Sequence, residues 1–145
     1  MMMFLFDFTV LATQIAAMAG TPPEPTWSEL CRAIQIVETG SHARPSTARG
    51  DGGVSYGWLQ LQSDYVADSK REDPRLNRYS YEEICENYTL ATLAMHAYMR
   101  RYPQRPYSAE QVARLLNGGP NGPNKSSTLR YWHRVKKELK KERTQ

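Results

Sequence analysis

The first apolar pattern in the chain predicts an amphipathic helix that ends close to a carboxylate. Apolar side chains recur with helical spacing at Leu30, Ala33, Ile34 and Val37. Thr26 and Glu29 have the spacing of a capping box, which marks the start of a helix. We expect this helix to run from Trp27 to about Glu38. It should end at Gly40, a residue type that accepts the left-handed conformation of a helix C-cap.

Three further helices are predicted downstream. The longest covers about residues 80–102, begins with a second capping box at Ser80–Glu83 and carries one continuous apolar face. Another helix begins at Ser108, and a last helix is capped by Ser126 or Ser127. These patterns indicate a mainly helical protein.

A long loop region separates the first helix from the others. Residues 41–58 are rich in glycine, serine and threonine, which is typical of loops or of a short hairpin. Within them, residues 54–56 suit one short strand. Residues 58–67 suit a short helix or a 3₁₀ turn, and the polar residues 69–78 indicate a surface loop.

Composition and charge indicate a globular domain with an anionic partner. The 145 residues are 40% hydrophobic and 23% charged, which fits one domain with a modest core and excludes a disordered chain. The formal net charge is +4 and the pI is about 9.1. A bacterial wall, a membrane surface and nucleic acid are all partners that this charge favours, and it does not choose among them.

The amino-terminal residues 1–19 have the pattern of a signal peptide, because they are apolar and end in the small-x-small sequence at 17–19. Residues 20–26 contain three prolines and suit an extended linker. The predicted folded domain covers residues 27–141, and residues 142–145 form a tail. We therefore expect a secreted protein, or a periplasmic one in a bacterium, with no stable membrane insertion after the signal is cleaved.

The two cysteines, Cys31 and Cys85, are too few for a disulfide scaffold. No histidine lies near them at ligand spacing, so they do not indicate a zinc site. One disulfide in an exported protein and two buried free thiols both fit the sequence.

Two carboxylates near the end of the first helix are the candidate chemical groups. Glu38 lies at the carboxyl end of an apolar helix, where partial burial and the helix dipole would both raise the pKa of its carboxyl group. Asp51 lies between glycines in a polar loop, where ionisation costs less. One protonated and one ionised carboxylate are the pair that glycoside hydrolysis commonly uses.

Five short motifs follow one another along residues 27–137. They are V-E-T-G at 37–40, S-Y-G-W-L-Q-L at 55–61, M-R-R-Y at 99–102, A-R-L-L-N-G-G-P-N-G at 113–122 and S-S-T-L-R-Y-W-H-R-V at 126–135. Together they resemble the invertebrate-type lysozyme (destabilase) family and, more distantly, the soluble lytic transglycosylases. The resemblance implies a lysozyme-like α+β fold. In that fold a helical bundle carries a loop or short β-hairpin region that forms one wall of a cleft.

The resemblance also implies a function. It is that of a muramidase, which cleaves the β-1,4 bond between N-acetylmuramic acid and N-acetylglucosamine in peptidoglycan, the anionic glycan of the bacterial wall. Glu38 would be the general acid and Asp51 the second carboxylate. The sugar contacts would come from Ser55, Tyr56, Gly57, Gln60, Asn117, Gly118, Gly119 and Tyr131. We expect no cofactor, no metal and no nucleic-acid partner.

The chain departs from the family pattern at residues that bear on stability. Tyr56 and Pro123 stand where the family has cysteines, and Leu116 replaces a histidine. Because those cross-links are missing, packing has to supply the stability that they would give.

The spacing from Asp51 to Ser55 is one residue shorter than in the family pattern. This difference leaves one alternative open, a lytic transglycosylase that uses Glu38 alone as acid and then as base. The lysines at 136–137 and 140–141 of the last helix indicate a second alternative. It is a non-catalytic cationic domain that binds glycan or kills bacteria by its charge.

Overall fold

The computed structural model describes residues 22–101 and 107–145. The predicted signal peptide at 1–19 lies outside these ranges, as does the predicted end of the long helix at residue 102. The described residues form six α-helices and a three-stranded sheet. The helices are α1 (Trp27–Thr39), α2 (Ser63–Glu72), α3 (Tyr81–Glu86), α4 (Tyr88–Arg100), α5 (Ala109–Gly118) and α6 (Leu129–Arg143). The strands are β1 (Arg49–Gly50), β2 (Ser55–Tyr56) and β3 (Leu61–Gln62). The mainly helical fold predicted from the sequence is confirmed.

The sheet occupies the loop region that follows α1. β2 lies in the centre and pairs antiparallel with β1 on one side and with β3 on the other. The register places Tyr56 opposite both Arg49 and Leu61. The sequence predicted one short strand here, and the structure adds two strands of two residues each.

One hydrophobic core fastens the sheet to the helices. α1 packs against α6, and α2 packs against α4. The largest described side chains that are almost completely buried are Ile34, Leu59, Leu61, Leu76, Ile84, Met95, Val66 and Val135. Each such aliphatic side chain stabilises the fold by about 1.5–3 kcal/mol through burial. Since Leu59 and Leu61 come from the sheet region, the inner face of the sheet belongs to the same core.

The predicted helix starts form through local hydrogen bonds. Thr26, Ser80 and Ser108 each accept a hydrogen bond from the backbone amide three residues later, and the side chain at that position bonds back. These capping boxes satisfy amides that have no partner within the helix. The short-range signals in the sequence were therefore sufficient to place these three helix starts.

The prediction of one continuous helix over residues 80–102 was wrong. The chain breaks at Asn87, which has an extended backbone with φ −101° and ψ 114° and separates α3 from α4. The Asn87 side chain accepts a hydrogen bond from the Leu90 amide at 3.1 Å and so caps α4. An N-cap inside an apolar run starts a new helix because its side chain replaces the backbone acceptor of the first turn.

The left-handed cap expected at Gly40 was also wrong. Gly40 follows α1 with φ −61° and ψ −23°, which is right-handed helical backbone. A Cβ at this position would overlap the Ile36 carbonyl oxygen. Close approach of the backbone therefore favours glycine here.

Residues 69–78 are not the surface loop that their polarity indicated. α2 continues to Glu72, and a 3₁₀ helix follows at Pro74–Arg78. The reason is the buried Asp73 carboxylate, which pairs with Arg75 at 2.6 Å and with Arg100 at 3.4 Å. The Arg75 guanidinium holds the pKa of the Asp73 carboxyl well below its usual range. This ion pair fixes the polar segment against α4.

The last helix begins later than predicted. Ser126 and Ser127 lie in a 3₁₀ turn at 126–128, and α6 begins at Leu129 without a side-chain cap. The Thr128 hydroxyl instead donates to the Gly122 carbonyl at 2.7 Å and receives a hydrogen bond from Arg114 at 2.8 Å. Tertiary contacts therefore hold the start of α6.

Both cysteine thiols are free and buried, Cys31 on α1 and Cys85 on α3. Burial raises the pKa of each thiol to about 12. Of the two possibilities that the sequence left open, the structure has the buried free thiols.

The carboxyl end of α1 is anchored to the sheet region by Thr39, which is completely buried. Its hydroxyl donates to the Trp58 carbonyl at 2.9 Å and lies 3.2 Å from the Gln35 carbonyl within α1. Because Thr39 follows Glu38 directly, this contact fixes the position of the last turn of α1.

Replacing Thr39 with valine should lower the free energy of unfolding by about 1–3 kcal/mol, because the partly buried Trp58 carbonyl then loses its donor. Urea unfolding followed by circular dichroism measures the change. Thr92→Val is the matched control, because the Thr89 carbonyl within α4 is the only described group that the Thr92 hydroxyl bonds. Equal losses in the two variants would contradict the anchoring role of Thr39.

Candidate active site

A cleft of about 740 Å³ lies between two walls. The end of α1 and the sheet form one wall, and the α5–α6 connection forms the other. The predicted site residues that line it are Glu38, Asp51, Ser55, Gln60, Asn117, Gly118, Gly119 and Tyr131. The fold therefore brings together both predicted carboxylates and most of the predicted sugar contacts.

Glu38 lies in the last turn of α1 and is half-buried in the cleft wall. Burial raises the pKa of its carboxyl group above the ordinary value. A hydrogen-bonding interaction with Tyr131 and the positive charge of Arg134 act in the opposite direction, and the negative charge of Asp51 adds to the rise. The net upward shift favours the protonated carboxyl that a general acid requires.

The Tyr131 side chain lines the cleft near Glu38. Its hydroxyl is buried and makes no hydrogen bond of ordinary geometry to a described residue, but it lies close enough to the Glu38 carboxylate to interact with it. Burial, followed by the Glu38 charge, raises the pKa of Tyr131 well above its ordinary value. Tyr131 therefore stays neutral beside the Glu38 carboxyl group.

Asp51 has surroundings that differ from those of Glu38. Asp51 is exposed, and its carboxylate accepts a hydrogen bond from the Ser55 hydroxyl at 2.6 Å. Its φ of +51° lies in the left-handed region that few non-glycine residues adopt. The backbone of the turn and the Ser55 contact together hold the carboxylate at the cleft.

Gln60 closes the turn between β2 and β3. Its side-chain amide donates to the Ala48 carbonyl at 3.0 Å and to the Gly57 carbonyl at 2.9 Å. Its φ of +50° is also left-handed, and its side-chain oxygen lies against Gly50, where a Cβ would overlap it. Much of the hydrogen-bonding capacity of Gln60 is therefore used to hold the wall of the cleft.

The opposite wall is formed by the end of α5 and the turn after it. Asn117 and Gly118 lie in the last turn of α5, and Gly119 ends the helix with φ +70°. The Lys125 ammonium donates to the Gly118 carbonyl at 2.7 Å. This contact ties the turn to the segment that precedes α6 and keeps the wall in place.

Known proteins with similar sequences are bivalve and nematode lysozymes. A lysozyme of Magallana gigas is 36% identical over 126 residues, which cover 83% of this chain and 87% of the relative. The invertebrate-type lysozyme of Ruditapes philippinarum is 31% identical over 114 residues, which cover 76% and 80%. The chain belongs to the invertebrate-type lysozyme family. No protein-family model matches it.

Solved structures of the family agree with this assignment. The Meretrix lusoria lysozyme, crystallised with Aeromonas hydrophila PliI, superposes with a TM-score of 0.62 at 31% identity. That match covers 75% of this chain and 87% of the other. The Tapes japonica lysozyme superposes with a TM-score of 0.63 at 26% identity and covers 78% and 92%. Since lysozymes are glycosidases, the chain is a lysozyme-type glycosidase with the fold that the motifs predicted.

Two residues of the family motif lie away from the cleft. Tyr56, which replaces a family cysteine, contacts the Tyr81 ring and donates a hydrogen bond from its hydroxyl to Glu86. Gly57 has φ +75°, and a Cβ there would overlap the Cys85 backbone. Neither is among the described residues that line the cleft. Both hold the sheet against α3.

Several cleft residues of this family member were not predicted from its sequence. His42, Asp64, Asp68, Lys125 and Arg134 line the cleft as well. Of these residues, Arg134 could have been predicted from the sequence. It follows Tyr131 by three residues on a predicted helix, and residues three apart share a helix face. The others depend on tertiary structure.

The described residues contain no group of histidine, cysteine or acidic side chains that could hold a metal ion. None of the described helices is both long enough and apolar enough to cross a membrane.

Glu38→Gln should raise the melting temperature at neutral pH, because it removes a carboxyl group whose ionised form is disfavoured by burial. A carboxyl with a raised pKa binds protons more tightly in the folded state. The wild type therefore loses stability as pH rises from the unfolded pKa of about 4.3 through the folded pKa. The gain in melting temperature of Glu38→Gln should be complete above this pH range and absent below it.

Melting curves of both proteins across this pH range measure the difference, and Glu82→Gln on the exposed side of α3 is the control. A Glu38→Gln variant that is less stable than the wild type above the window would refute the raised pKa.

Proposed function

We propose that the protein is a secreted muramidase that hydrolyses the β-1,4 bond between N-acetylmuramic acid and N-acetylglucosamine in peptidoglycan. Glu38 acts as the general acid, and Asp51 acts as the second carboxylate. The observation that carries this proposal is the presence of both carboxylates in one cleft in contrasting surroundings, one half-buried and one exposed.

Glu38 supplies the proton for bond cleavage. Its carboxyl donates this proton to the glycosidic oxygen, so the leaving sugar departs as a neutral alcohol. The raised pKa supports this role because the proton is still present at a pH where an ordinary glutamate has lost it. A water molecule then adds its hydroxide part to the anomeric carbon, and its remaining proton restores the Glu38 carboxyl.

Asp51 meets the positive charge that develops on the sugar ring in the transition state. The Ser55 hydroxyl, which donates to the Asp51 carboxylate at 2.6 Å, orients the carboxylate. Ser55 is buried, so we propose that it acts on the reaction through Asp51.

The opposite wall binds the glycan. Asn117 is exposed at the end of α5, and Gly119 has open space where a side chain would stand. A flat backbone surface beside an amide side chain suits the N-acetyl groups of the sugar chain. The net charge of +4 draws the protein to the anionic wall on which this glycan lies.

Glu38→Gln should reduce the lysis of Gram-positive cell suspensions by about 10²–10⁴-fold, the usual contribution of a general acid. The turbidity of the suspension measures this rate, and Glu82→Gln should retain wild-type lysis. If Glu38→Gln lyses cells at the wild-type rate, neither the muramidase nor the transglycosylase chemistry operates at Glu38. The remaining hypothesis is then a non-catalytic domain that kills bacteria by its charge.

Asp51→Asn should lose most of the hydrolytic activity, because the amide oxygen can still accept the Ser55 hydrogen bond while the negative charge is gone. Mass spectrometry of digested peptidoglycan should show reducing ends from the wild type. Asp64→Asn, which removes the same charge from the same cleft, is the control. Anhydro ends from the wild type, together with a fully active Asp51→Asn, would establish a lytic transglycosylase that uses Glu38 alone.

A further inference from the structure

α6 presents two side chains to the end of α1, and only one of them was expected. Tyr131 and Arg134 are three residues apart on the same helix face, and both line the cleft beside Glu38. The Arg134 guanidinium donates a hydrogen bond to the Val37 carbonyl at 3.0 Å. This contact joins two residues that are 97 positions apart in the chain.

The Val37 carbonyl is one of the last carbonyls of α1, which have no amide partner within the helix. A cation at a helix carboxyl end satisfies such a carbonyl and interacts favourably with the helix dipole. Because Val37 directly precedes Glu38, fixing this carbonyl restricts the backbone that carries the carboxyl group.

We propose that Arg134 is a positioning residue for Glu38, which holds the last turn of α1 through the Val37 carbonyl and keeps a fixed positive charge beside the carboxyl group. The proposal rests on the function proposed above, in which Glu38 is the general acid. Arg134 acts through Glu38 and needs no contact with the reacting sugar.

The charged groups around Glu38 determine how the Arg134 guanidinium affects the pKa of the Glu38 carboxyl. Tyr131 and Arg134 influence the carboxyl electrostatically from α6, and Asp51 does so from the turn after β1. Tyr65 on α2 faces Tyr131 in turn. The other titratable groups along the cleft are His42, Asp64, Asp68, Tyr98 and Lys125. Among the described charged groups that shift the pKa of the Glu38 carboxyl, Arg134 is the cation. It limits the rise in the Glu38 pKa that burial and Asp51 cause.

Loss of the Arg134 charge should change the pH dependence of the reaction in one direction. A general acid is active only while it is protonated, so the rate falls as pH rises through its pKa. Removing the cation would raise the Glu38 pKa further, so the alkaline limb of the pH–activity profile should move to higher pH. A purely structural defect would lower the rate at every pH and leave the limb in place.

The decisive measurement is kcat/KM on soluble peptidoglycan fragments as a function of pH for the wild type, Arg134→Gln, Arg134→Lys and Arg130→Gln. In Arg134→Gln the alkaline limb should move upward, so its rate relative to the wild type should increase with pH. Arg134→Lys keeps the cation and should restore the wild-type limb. Arg130 is exposed on the same helix, and Arg130→Gln removes the same charge as the matched control.

A titration of the Glu38 carboxyl carbon by NMR gives a second readout that does not depend on activity. The titration midpoint should be higher in Arg134→Gln than in the wild type and unchanged in Arg130→Gln. An unshifted midpoint and limb in Arg134→Gln would overturn the role of Arg134. The titration midpoint could shift in Arg134→Gln while Glu38→Gln remains fully active. Arg134 would then interact with Glu38, but its role in catalysis and the proposed function would both be refuted.

Discussion

The hydrogen bond from the buried Thr39 side chain to the Trp58 carbonyl joins the two parts of the molecule that carry the carboxylates. Thr39 belongs to the last turn of α1, next to Glu38, and Trp58 belongs to the turn between β2 and β3. Asp51 lies in the other turn of the same sheet. With this bond in place, the helix and the sheet meet as one rigid wall. The electrostatic contrast between the two carboxylates depends on this fixed position of the helix relative to the sheet.

The contrast between the carboxylates has a cost in stability. Glu38 is half-buried at the end of a helix, where the dipole and the surrounding protein both disfavour a negative charge. Asp51 and Gln60 hold left-handed backbone in the sheet turns without being glycine. Strain and unfavourable burial thus concentrate at one cleft. The hydrophobic core and the ion pair of Asp73 offset them elsewhere.

Features that depend on neighbouring residues in the chain were predictable from the sequence. Capping boxes are local, so the starts of α1, α3 and α5 could be placed, and the family motifs gave the fold and the pair of carboxylates. Features that depend on distant partners could not be predicted. Asn87 interrupts an apolar face that looked continuous, because its side chain caps the next turn. Asp73 looked like part of a polar loop because nothing nearby in sequence shows that Arg100 packs over it. The contact of the Tyr56 hydroxyl with Glu86 depends on a distant partner in the same way.

With Tyr56 packed in the core and both thiols free and buried, the native fold of this family member contains no disulfide. Where relatives carry a cysteine, this chain has a ring that contacts Tyr81 and lies under the Arg49 guanidinium, 4.3 Å from it. The thiols of Cys31 and Cys85 have a pKa of about 12, so they hold almost no thiolate at neutral pH and resist oxidation. No oxidant has to act before the native state is reached. The protein can fold in a reducing or an oxidising compartment without an isomerase that pairs cysteines.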